Sequence, residues 1–234
     1  MNAAVIVRRA RFEHRLFALS SLALLVLVVA GFARTYFLKL AFGTPALTPL
    51  LHLHGALMSM WLVLFLVQVG LVASHRVRWH RRLGIAGAVL ALAIVAVGPI
   101  VLVNATAREV RAPDGDPFFL VVFAVDSVIL FDFAILVATA IALRGRSDFH
   151  KRLMLLATAS ILLPALGRFD LDAATIWLLF YACVLAPVAI DTLRHRRLHP
   201  AFGWGAPLLL ASQHLAYFGA KTAPWMQFVR HLFI

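Results

Sequence analysis

The chain has 234 residues; 63% are hydrophobic and only 14% are charged, against about a quarter in a soluble domain. That leaves too little polar surface to cover a water-soluble fold, so composition excludes one and requires an integral membrane protein. The net charge of +12 fits the cation-rich loops that orient such a protein, and no nucleic-acid partner is expected. Cys183 is the only cysteine, which excludes an internal disulfide and a cysteine-based metal site.

A span needs about 20 apolar residues, and seven stretches supply them, roughly 15–33, 49–73, 83–103, 117–143, 152–167, 173–191 and 205–221. The first follows a basic segment, as a secretion signal does. Its apolar run exceeds the usual 7–15 residues, so it reads as a retained anchor helix. The second opens "PLLHLHGALMSMW". His52 and His54 lie about 200° apart on a helix and converge only if the helix starts near Gly55. Gly55 itself permits close approach of another helix or a planar ligand.

The third span opens "WHRRLG", Trp79 to Gly84. It is followed by the longest hydrophilic stretch, 104–116, which predicts a loop with a turn at "APDGDP". The fourth carries Asp126 and Asp132 at depths where a charge costs on the order of 2.5–3.5 kcal/mol. They lie about 240° apart and do not share a partner face. Gln68 of the second span is placed to reach Asp132 or the helix backbone. The fifth opens "FHKRLM", Phe149 to Met154, and ends irregularly at Pro164 and Arg168. Arg168 with Asp170 and Asp172 reads as a surface ion cluster. The seventh, the weakest, is interrupted by Gln213, His214 and Lys221. Its Ser212, Gln213 and His214 fall near the depth of Asp132.

Loop charge tests this count. With the N-terminus inside, fifteen of the 22 cations fall on inner segments and seven on outer ones, and the alternation holds at every loop. Seven spans then place the C-terminus outside. The whole chain, 1–234, reads as one transmembrane domain, an all-α bundle.

Within it, aligning His80 with His150 nearly aligns Pro49 with Pro117 and aligns Trp61 with Phe131. The hairpin is thus written twice, at 49–103 and 117–167, with the same orientation. That predicts a pseudo-twofold axis along the membrane normal. His80 and His150 become symmetry mates at the inner side. Three readings of the pair stay open. Two imidazoles can be axial ligands of a b-type haem. They can form part of a metal site with carboxylates. Or the helix N-termini, with Arg81, Arg82, Lys151 and Arg152, can hold lipid phosphates.

With these motifs located, "LHLHG", "WHRRLG" and "FHKRLMLLA" resemble small uncharacterised multi-pass inner-membrane proteins of bacteria, over positions 34–170. At motif level they resemble membrane proteins of cytochrome oxidase assembly. "FEHRLFAL" is similar to the His-bearing helix starts of di-haem b-type cytochromes. The resemblance implies a bacterial inner-membrane location, cytoplasmic N-terminus and periplasmic C-terminus, and a haem b-binding redox or respiratory-assembly role. The implied ligands are His80 and His150, with His52 and His54 as an outer site. The implied partners are membrane lipids and a respiratory complex or another membrane subunit. Here the chain departs from the cytochromes: the outer histidines have no mate beyond His214 or His231.

Two other classes compete. One is a transporter or proton-conducting protein using Asp126, Asp132, Gln213 and His214 inside the membrane. The other is a lipid-binding scaffold. No P-loop, dinucleotide fingerprint, nucleophile elbow or CxxCH motif is present, so any chemistry takes place within the membrane or at its surface.

Overall fold

The computed structural model describes residues 3–233, with side chains from Arg11 onward. Arg8 and Arg9, two of the cations counted above, therefore lie outside the described side chains. Every regular element is helical. The helices are α1 (Ala3–Phe32), continued by a π-helical turn Ala33–Phe37, α2 (Lys39–Phe42), α3 (Pro49–Ala73), α4 (Val77–Arg111) and α5 (Phe118–Ala142). They continue with α6 (Ser147–Ser160), α7 (Leu163–Leu166), α8 (Ala173–His195), α9 (Pro200–Gly219) and α10 (Ala223–Phe233). The molecule is a helical bundle, as its composition requires.

Local chemistry sets the helix starts. Thr48 caps α3 by accepting from the Leu51 N–H at 3.3 Å, and Pro49 occupies the first turn. A proline there loses no hydrogen bond, because the first N–H groups of a helix have no intrahelical partner. Asp172 caps α8 through the Thr175 N–H at 3.0 Å and the Thr175 hydroxyl at 2.6 Å. His199 caps α9, accepting from the Ala201 N–H at 3.2 Å through Nδ1. Because α3 is helical from Pro49, His52 and His54 point apart and form no extended pair. The expected grouping of Arg168 with Asp170 and Asp172 does not form. Asp172 is occupied by its cap, and Arg168 donates to the Pro164 carbonyl at 2.6 Å and lies over the Phe32 ring.

Six helices are long and apolar enough to cross a membrane: Arg11–Phe37, Pro49–Ala73, Val77–Arg111, Phe118–Ala142, Ser147–Leu166 and Ala173–His195. A seventh helix, α9, stands near the expected place and its 20 residues reach about 30 Å, but it is not among these six. It begins and ends earlier than expected. It falls short on hydropathy because its polar residues face other helices: Gln213 is fully buried and Ser212 bonds to α5. The expected loop at 104–116 is also mostly helix, since α4 runs 35 residues to Arg111.

The core centres on α5, which packs against α4, α6 and α9 and buries Asp132, Phe133, Leu136 and Ala140 completely. The first helix lies against α3, α7 and α8. The two proposed hairpins share several boundaries. Both α3 and α5 have 25 residues. Both α4 and α6 begin three residues before their histidine, whose N–H bonds to the carbonyl of Arg76 or Arg146. The correspondence ends there. The α6 helix stops after 14 residues, and Trp61 meets Phe133 edge-to-face at 4.8 Å while Phe131 is exposed.

Candidate functional site

His80 and His150, seventy residues apart in sequence, meet at one end of the bundle. Their ring centroids are 6.2 Å apart and their planes are inclined at 81°. His150 Nδ1 donates to the Ala140 carbonyl at 2.8 Å. A carbonyl can only accept, so this bond fixes the proton on Nδ1 and leaves Nε2 of a neutral ring with a free lone pair. His80 Nδ1 is buried and has no partner, and neither has Gln68 Oε1 on the neighbouring helix α3. Gln68 does not serve Asp132, whose donors are Ser212 and Gln213.

The cations that follow the two histidines have different fates. Lys151 pairs with Glu13 of α1. Arg152 makes a two-pronged contact with Asp191 of α8, Nε to Oδ2 at 3.0 Å and Nη2 to Oδ1 at 2.7 Å, and donates to the Asp148 carbonyl at 2.9 Å. Both ends of that pair are buried. Arg152 is thus consumed inside the protein, and the head-group role expected of it is not available, while Lys151 is held by Glu13 but stays partly exposed. Arg81 and Arg82 remain exposed, with Arg82 over the half-exposed Trp79 ring.

The same end holds residues that the motifs did not single out. His195 Nδ1 lies 2.8 Å from the Asp191 carbonyl, and its Nε2 lies 3.0 Å from Glu13. His199 Nε2 lies 3.1 Å from Asp148 Oδ2, and its ring meets Phe149 edge-on. Burial lowers the pKa of His199, while the bond to Asp148 opposes that shift. A signal for this network exists in the sequence. The acids Glu13, Asp148 and Asp191 are the only three set among the inner cations, and each has found a basic partner.

The polar triplet of α9 joins three helices. The Ser212 hydroxyl donates to Asp132 Oδ2 of α5 at 2.7 Å. Gln213 Nε2 donates to the Ser160 carbonyl of α6 at 3.0 Å and lies 3.4 Å from Asp132 Oδ2. His214 Nδ1 is 2.6 Å from the Tyr181 hydroxyl of α8, among the rings of Trp177 and Phe218. Asp126 takes no part.

At the far end, His52 is exposed beside Tyr36, and His54 Nδ1 is buried without a partner. The space at Gly55 is taken by Tyr36, whose hydroxyl donates to the His52 carbonyl at 3.3 Å. No second histidine is in ring contact with His54 among the described residues. Nor does any group of three or more His, Cys, Asp or Glu in them assemble to hold a metal ion.

Fold and site together define a multi-pass helical membrane protein with a histidine pair at its cation-rich end. No known family model matches the chain, and no similar curated protein or solved structure was found.

Proposed function

We propose that this is a haem b-binding redox protein of the bacterial inner membrane, with His80 and His150 as the axial pair. The supporting observation is their approach at 6.2 Å. An imidazole nitrogen lies about 2 Å from a metal it binds, so two rings on one ion have centroids on the order of 6 Å apart. The Ala140 carbonyl does for His150 what outer partners do for metal-bound histidines, fixing the tautomer and the ring orientation. A bare ion would need more protein ligands than this pair supplies, whereas a porphyrin brings four of its own.

When bound, the haem would supply one-electron exchange at its iron. The protein's part is to hold two neutral imidazoles in register, and to offer Arg81 and Arg82 to carboxylate groups at the exposed rim. The lipid phosphates of the membrane would compete for these two cations. His52 and His54 would have no part in this pair, since they lie at the other end. On this reading the cation-rich end faces the cytoplasm, and the electron partner is a respiratory complex or another membrane subunit.

Two experiments test this. The purified protein, expressed with ample haem supply, should show a Soret band and sharp α and β bands on reduction. His80→Ala or His150→Ala should abolish them. A colourless, iron-free preparation ends the haem reading. For orientation, a reporter fused after Ile234 should be active only outside the cytoplasm. Cytoplasmic activity would mean that α9 does not cross.

A further inference from the structure

We infer that Asp132 is the seat of a monovalent cation, a proton or a sodium ion, held in the middle of the bundle. The inference does not depend on haem. It rests on an unfilled place in the hydrogen bonding. Asp132 and Gln213 are both 0% exposed. Asp132 lies fourteen residues after Phe118, the start of α5, and ten before Ala142, its end, so it stands roughly 21 Å and 15 Å from the two ends of α5. Oδ2 accepts from Ser212 and, at longer range, from Gln213. Oδ1 has no partner, and neither has Gln213 Oε1. The Gln213 amide is oriented by its 3.0 Å bond to the Ser160 carbonyl, which requires its NH2 on that side. Both orphaned atoms are therefore oxygens that can only accept. What they lack is a donor or a cation.

The charge count leads to the same place. Asp132 is in no ion pair, and its neighbours carry no compensating charge. The α9 helix has two titratable groups, His214, bonded to Tyr181 on α8, and Tyr217, whose ring lies beside those of Trp177 and Phe218. Facing α5, α6 offers the Ser160 carbonyl and Thr158, whose hydroxyl is donated to Met154. No residue of α4 between Arg82 and Arg108 can ionise, and no residue of α3 after His54 can. On α5 itself the nearest titratable group is Asp126, six residues away. The buried Trp61, whose ring meets that of Phe133 next in sequence to Asp132, has an N–H without a partner. That N–H or a water could satisfy a hydrogen bond but would leave the negative charge uncompensated. An uncompensated carboxylate in a membrane interior is strongly disfavoured. A proton or a sodium ion at Oδ1 supplies the missing partner and the charge together.

The test uses the purified full chain in lipid nanodiscs, with infrared spectroscopy and radioactive sodium binding. If a proton is held, the carbonyl stretch of a protonated acid is present at neutral pH in potassium buffer. Asp132→Asn removes it, Ser212→Ala shifts its frequency, and sodium leaves it unchanged. If sodium is held, the wild type binds one ion per chain and loses the acid band as sodium is added, and Asp132→Asn abolishes binding. The asparagine is isosteric and its NH2 replaces the missing donor, so folding is expected to survive. Should that variant fail to fold, Ser212→Ala still decides. The proposal is overturned by a spectrum in which neither variant alters an acid band, together with no sodium uptake by the wild type.

Discussion

Asp191→Ala is expected to be the most damaging single change in this protein. It strands the Arg152 guanidinium, which is 3% exposed and has two of its three contacts on that carboxylate. Removing one partner of a buried pair costs about 3–5 kcal/mol, because the other charge stays buried without compensation. His195 loses a neighbour at the same time, since its ring lies 3.3 Å from Asp191 Oδ1. Denaturant or thermal unfolding in detergent should show this loss. Arg81→Ala, at an exposed position, should stay within about 0.5 kcal/mol of wild type. The double variant Arg152→Met with Asp191→Leu should recover most of the deficit, because a well-packed apolar pair can replace a buried ionic one. A double variant as unstable as the single would mean that the pair contributes its own net attraction.

Gly31→Ala is the second large effect expected. A methyl group at Gly31 would overlap the Ala165 carbonyl oxygen and lie 3.1 Å from the Ala165 Cα. Both are backbone atoms of α7, so relief requires α1 to move away from α7. Overpacking of this kind costs about 1–3 kcal/mol. Gly55→Ala offers the contrast. Its methyl would overlap the ring of Tyr36, with the hydroxyl at 2.8 Å, and a side chain can rotate away. Combining Gly55→Ala with Tyr36→Ala should restore stability. No side-chain truncation should rescue Gly31→Ala, and rescue by one would show that the α1–α7 contact is looser than the backbone geometry requires.

What was legible in the sequence follows from the range of the forces involved. Span positions depend on local composition, so six helices stand close to where hydropathy puts them. The approach of His80 to His150 was legible because each histidine stands three residues into a helix that follows a 25-residue helix and a short turn. The ionic network was not. Lys151 with Glu13 and Arg152 with Asp191 are separated by 138 and 39 residues, and nothing local matches one acid to one base. The α9 helix was weakly legible for a related reason. A helix that directs polar atoms at its neighbours loses the hydropathy by which spans are recognised. The stretch 104–116 was misread because polar residues on a helix that continues past the apolar zone look the same as a loop.

That continuation of α4 means the protein folds in two solvents. The apolar stretch 83–103 is long enough for the hydrocarbon layer, and the last eight residues of the helix, Asn104 to Arg111, extend roughly 12 Å farther. Against this post lies α10, with Val229 and Phe233 buried beside Val110, Leu120 and Phe123, and the Phe233 carbonyl accepting from Arg111 at 3.2 Å. Within the lipid, helices are held by close packing and polar contacts, since hydrocarbon surrounds them as readily as it surrounds leucine. The small cluster under α10 joins the two regions, since Val110 belongs to the extension of α4 while Leu120 and Phe123 belong to the fourth span. It ties the last helix at once to the post and to the start of α5.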